Sequence, residues 1–71
     1  MRTAKKTMKQ GQVVTRRGDN THTRFVVVED RDGLVVTGRV SHVDGHIHAL
    51  PAVMRDEIRL AARGEQPTLV N

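Results

Sequence analysis

The chain has no cysteine, no tryptophan and no tyrosine, and its 71 residues include one phenylalanine, Phe25, and one serine, Ser41. Without cysteine there is no disulfide framework, no thiolate metal site and no thiol nucleophile, a composition that suits a reducing cytoplasm. A lone serine with no strained elbow around it, and no glycine-rich phosphate loop, leave no hydrolase or nucleotide-binding motif. The carboxylates are scattered and form no evident acid/base pair, so the chain is read as non-enzymatic. No apolar run approaches the roughly 18 residues of a membrane span, and nothing resembles a signal peptide. With one aromatic there is no stacking platform of the kind many single-strand binders use.

Histidine is present four times, and His42, His46 and His48 surround Asp44. Strand alternation puts His46 and His48 on one face and His42 on the other, so at most two imidazoles converge. A zinc site needs three or four protein ligands, and no metal or other cofactor is expected.

The formal net charge is +4, but it is unevenly placed. Residues 1–9 carry Arg2, Lys5, Lys6 and Lys9 and no acid, which leaves 8 basic residues against all 8 acids over 10–71. The basicity therefore belongs to an N-terminal arm rather than to the body. Residues 1–10 lack apolar periodicity and are read as a disordered arm, either lying along phosphates or serving as a solubilising tail. Residues 11–64 are read as a single domain and 65–71 as a tail or short edge strand. A core this small supplies only a few kcal/mol, so a homodimer or an obligate partner is expected.

The body is organised around a β-meander from Thr23 to Ala49. Gly11 to Arg17 is expected as a first strand, ended by Gly18-Asp19-Asn20. Arg16 and Arg17 are either a positive rim or a charged edge that discourages pairing with other molecules. Thr21 to Glu29 is rich in β-branched residues, Asp30-Arg31-Asp32-Gly33 has turn chemistry, and Leu34 to Val43 follows as a longer strand. Asp44-Gly45 is a favoured two-residue hairpin loop, returning His46 to Ala49 as a further strand.

With a four-residue first loop, Phe25 falls opposite Gly38, the ring covering the glycine. That register makes Phe25, Val27, Leu34, Val36, Val40, His42, Ile47 and Ala49 the core face. The other face carries Arg24 directly opposite Arg39, with Ser41, His46 and His48 nearby. Two arginines forced together in this way could hold one phosphate, and a histidine could stack on a base.

From Pro51 to Arg63 the apolar residues Leu50, Val53, Met54, Ile58, Leu60, Ala61 and Ala62 fill a broad helical arc, with Pro51 as a first-turn residue and Gly64 as the stop. Arg55, Arg59 and Arg63 then line the opposite side, as a solvated face, a phosphate track or a partner contact. The expected class is thus α+β: a small antiparallel sheet or partial barrel of three to four strands with one C-terminal helix.

The run Gln10-Gly11-Gln12-Val13, then Phe25-Val26-Val27, then Asp32-Gly33-Leu34-Val35-Val36-Thr37 and Ser41, resembles the first three strands of the smallest bacterial translation initiation factor, an OB-fold RNA-binding family. The likeness covers the first half and needs inserted residues near Asn20. The same segment is similar to the first motif of Sm-type proteins at Gly33, Gly38, Asp44, Ile47 and His48, where the residue at the place of His48 is usually an asparagine contacting a base; the second Sm motif is absent. These resemblances imply RNA binding on a small β-barrel.

The expected function is that of a small regulator or accessory factor of gene expression. It would bind RNA through the arm residues Arg2, Lys5, Lys6 and Lys9 and through Arg16, Arg17, Arg24, Arg39, His46 and His48. The alternative is a phage-type protein-binding regulator that docks on a host transcription or translation enzyme, with Arg55, Arg59 and Arg63 as contacts. No membrane partner is expected in either case.

Overall fold

The computed structural model describes residues 8–19 and 21–70, and these form one mostly antiparallel sheet of seven strands. The strands are β1 (Val13–Arg16), β2 (Phe25–Arg31), β3 (Leu34–Ser41), β4 (Ile47–Ala49), β5 (Val53–Met54), β6 (Ile58–Leu60) and β7 (Leu69–Val70). The central order is β4-β3-β2-β1-β6, with β5 and β7 also paired to β3. β6 returns antiparallel to the far side of β1, while β7 runs parallel to β3. Among the described residues no helix is long and apolar enough to cross a membrane.

The expected C-terminal helix is absent, which overturns the α+β reading. Val53 and Met54 pair with Val35 and Leu34, a single 3₁₀ turn covers Arg55–Glu57, and Ile58 to Leu60 pair with Arg16 to Val14. Physically, β1 and β3 each present an edge of unpaired backbone donors and acceptors, and a helix over this stretch would satisfy neither. Ile58-Arg59-Leu60 has a strand's alternation inside what looked like a helical arc, an ambiguity short apolar stretches carry by nature.

The two loops of the meander exchange their expected lengths. Asp32 and Gly33 have φ of 52° and 89°, and Arg31 lies opposite Leu34. The first loop therefore has two residues, both with the positive φ that a type I′ turn requires. The Asp30 carboxylate accepts a hydrogen bond from the Gly33 N–H at 3.2 Å, tying the turn to the strand. The second loop is closed by the Ser41 N–H donating to the His46 carbonyl at 2.8 Å, so four residues intervene, and only Gly45 has positive φ, at 75°. Side chains hold that loop: Ser41 Oγ accepts from the Val43 N–H at 3.2 Å and Asp44 Oδ1 from the His46 N–H at 3.0 Å.

A β-bulge completes the change of register. Pairing shifts between Val27 and Glu29, so Val28 is an extra residue, and beyond it Val27 faces Thr37 and Val26 faces Gly38. Relative to the expected pairing this is a slip of one residue, which turns β3 over. Phe25 and Val27 stay in the core, but β3 contributes Val35 and Thr37, while Leu34 and Ile47 are about half exposed at 49% and 52%. Phe25 does not cover Gly38. A Cβ at Gly38 would instead run into the Ile47 side chain and lie 3.1 Å from the His48 carbonyl oxygen, so β4 crosses β3 closely at this point.

The core comprises Val14, Phe25, Val27, Val35 and Ile58, with Met8, Leu50 and Val53 packed against it. Ahead of β1, the Gly11 N–H donates to the Val27 carbonyl at 2.9 Å and the Met8 N–H to Asp30 Oδ2 at 2.8 Å, so Met8 is tied to the Asp30 end of β2.

Candidate functional site

The site grows from the position of Phe25 at the start of the central strand. Val14 pairs with Phe25, so two residues further along β1 the Arg16 side chain lies on the same face. On the other side Val26 pairs with Gly38, which brings Arg39 of β3 level with Phe25. Both guanidinium carbons stand over the ring, at 5.8 Å for Arg16 and 6.0 Å for Arg39. These are distances at which a cation is attracted to a ring face.

Around this pair lies an open cleft of about 350 Å³, lined by Arg16, Arg17, Thr21, Thr23, Arg39 and Glu57, with Gly18, Asp19 and Phe25 completing the wall. Among the described residues neither Arg16 nor Arg39 has a hydrogen-bond or ion-pair partner, whereas Arg24, Arg31 and Arg55 are all paired to carboxylates. Arg17 donates to the Asp56 carbonyl oxygen at 3.2 Å. The Thr21 hydroxyl and N–H both donate to Asp19, holding its carboxyl below the usual carboxylate range, and so it remains an anion. Asp44 is lowered likewise by the His46 N–H.

The site residues expected from sequence divide between this cleft and other places. Arg16, Arg17 and Arg39 meet here, and His48 is the cross-strand partner of Arg39. Arg24 does not join them: the register puts it on the opposite face, where its side chain is held by Glu65 and by the His22 carbonyl. The expected Arg24–Arg39 pair is therefore replaced by an Arg16–Arg39 pair. His46 stands in the second loop, 3.3 Å from Asp44. Lys9 is exposed near the opposite end of β2, and Arg2, Lys5 and Lys6 lie outside the described residues.

Arg55, Arg59 and Arg63 form no stripe, since the helix that would align them is absent. Arg55 is bound to Asp30 at 3.0 Å with side chains only 19% and 1% exposed, Arg59 lies opposite Thr15 on β6, and Arg63 is in an exposed turn. Among the described residues no group of three or more potential ligands could hold a metal ion.

Sequence reasoning missed Thr21, Thr23 and Glu57 as part of the cleft, and Asp30 as a buried carboxylate. Only Asp30 had a usable signal, an acid three residues before a turn glycine. Compared with family models, curated proteins and solved structures, the chain matches none.

Proposed function

We propose that this protein is a non-enzymatic, cytoplasmic RNA-binding accessory or regulatory factor of gene expression, built as a small partial barrel. The observation that carries the reading is the convergence on Phe25, from the strands on either side of it, of Arg16 and Arg39, two arginines with no carboxylate partner among the described residues that both line a cleft open to solvent. Two cations gathered at one cleft without carboxylate partners are unfavourable, and a polyanion relieves that repulsion. The small-barrel part of the reading is supported by β6 returning to β1 and β7 to β3. Lys9, exposed near the opposite end of β2, and the arm it belongs to would add sequence-independent attraction.

The test is fluorescence anisotropy of labelled single-stranded RNA at two salt concentrations. Because Met8 is tied to Asp30 and packs on the core, the arm is tested by Arg2→Gln/Lys5→Gln/Lys6→Gln rather than by truncation through Met8. The wild-type chain is expected to bind with a salt slope of about −0.7 per phosphate contacted. The arm variant is expected to show a smaller slope with binding retained. Absence of RNA binding in both would overturn the reading.

A second reading, docking on an enzyme of transcription or translation, is favoured by a separate feature. The sheet bears an apolar groove of about 200 Å³ between Val26, Val28, Ile47 and Ala49, with Ile47 about half exposed. Ile47→Asp would abolish capture of such a partner and leave RNA binding intact.

A further inference from the structure

We infer that the cleft over Phe25 takes a single unpaired nucleobase bearing an exocyclic amino group, stacked on the Arg16 and Arg39 guanidinium planes with its edge held by the Glu57 carboxylate. This rests on the RNA-binding reading above and assigns what that site recognises.

Three observations lead there. First, the phenyl ring itself is 2% exposed, so a base cannot lie on it. What the ring presents to solvent is its covering of guanidinium groups. Arginine is planar and weakly hydrated and stacks on π faces, so a guanidinium resting on Phe25 offers its other face to a base. The chain's poverty in aromatics is thereby met with arginine.

Second, the cleft is not a pure cation site. Asp19 and Glu57 line it alongside Arg16, Arg17 and Arg39. Carboxylates at the wall repel a phosphate but accept hydrogen bonds from the amino groups of adenine, cytosine or guanine. One Asp19 oxygen is already taken by Thr21, whereas the Glu57 side chain has no hydrogen-bond or ion-pair partner among the described residues. Glu57 therefore offers both of its oxygens as acceptors, against one for Asp19.

Third, a cleft of about 350 Å³ whose lining carries both guanidinium groups and a carboxylate has room for a base and supplies groups for its face and for its edge. Phosphates flanking that base would fall to Arg17.

Short single-stranded oligo(A), oligo(C) and oligo(U) serve as probes, measured by anisotropy with the full chain. Oligo(A) and oligo(C) are expected to bind about tenfold tighter than oligo(U), whose carbonyl stands where the amino group would be. Glu57→Ala, at an exposed position, is expected to bring the three within about twofold. Arg16→Lys and Arg39→Lys keep the charge but lose the plane, and each is expected to weaken oligo(A) binding about tenfold. If all three probes bind wild type equally, or if the lysine variants bind oligo(A) as wild type does, the base pocket is overturned while RNA binding stands. If wild type binds none of the probes, both readings fall together.

Discussion

At the Asp30 end of β2 an arginine is locked in place, while at the Phe25 end two arginines are left without partners. Arg55 donates through Nε and an NH2 group to Asp30, whose carboxylate also accepts from the Met8 and Gly33 backbone N–H groups. Arg16 and Arg39 have only the face of Phe25 beneath them. The residue type is the same, and the environment divides the roles. A carboxylate with four donors aimed at it makes Arg55 part of the framework. An aromatic ring offers a support but leaves every N–H of the guanidinium available to a ligand.

The largest expected effect comes from breaking the locked end. Asp30→Asn leaves the mostly buried Arg55 guanidinium without its counter-charge and is expected to lower Tm on the order of 10 °C at neutral pH. The Asp30 carboxyl is held below its ordinary value of 3.8, first by the Met8 N–H and then by Arg55. A lowered folded value means that the carboxylate's stabilisation is fully present above the ordinary range and is lost as pH falls below about 4 toward the lowered value. Asp30→Asn should therefore also flatten the acid side of a Tm-against-pH profile. RNA affinity measured well below Tm should not change, because the other end of the strand is untouched. A variant that melts like wild type at every pH would show that the lock contributes little.

A smaller and opposite effect is expected between the two ends. Thr37 is fully buried and its hydroxyl has no hydrogen-bond partner. Thr37→Val replaces that hydroxyl with a methyl group of similar size and is expected to stabilise the fold by about 1 kcal/mol in a thermal or denaturant melt. The smallest effect is expected at Arg24. Its ion pair with Glu65 on the outer face removes it from the cleft, so Arg24→Gln should change RNA affinity less than about twofold, against about tenfold for Arg39→Lys. A loss at Arg24 equal to that at Arg39 would erase the distinction between paired and unpaired arginines.

Much of the meander was legible because its signals are local. β-Branched runs and Asp-Gly dipeptides mark strands and turns wherever they occur; β1 and β3 lie within the stretches those signals indicate, while β2 runs on through Asp30 and Arg31, which were expected in the turn. Loop length was not legible, since Asp32-Gly33 and Asp44-Gly45 are the same dipeptide in a two-residue and a four-residue loop. In the first the Asp30 carboxylate accepts from the Gly33 N–H, whereas in the second Ser41 and Asp44 hold the Val43 and His46 N–H groups. The Val28 bulge was not legible either, and it alone reverses which residues of β3 meet Phe25. Of the site, the Arg39 and His48 neighbourhood follows from strand alternation, but the meeting of Arg16 with Arg39 depends on that bulge. The region after Pro51 was misread because its spacing fits a helical arc, whereas the edges of β1 and β3 needed strand partners.

From the sequence alone come the concentration of basic charge in the first nine residues, the lack of any thiol or aromatic chemistry, and the strand-and-turn character of residues 23–49. These depend on composition and on neighbours a few residues apart. Tertiary structure decided the rest: that β6 and β7 complete the sheet, that Asp30 is buried against Arg55, and that Arg16 replaces Arg24 beside Arg39. Each of these turns on long-range backbone pairing, in which every donor and acceptor must find a partner and a one-residue change of register moves a side chain to the other face.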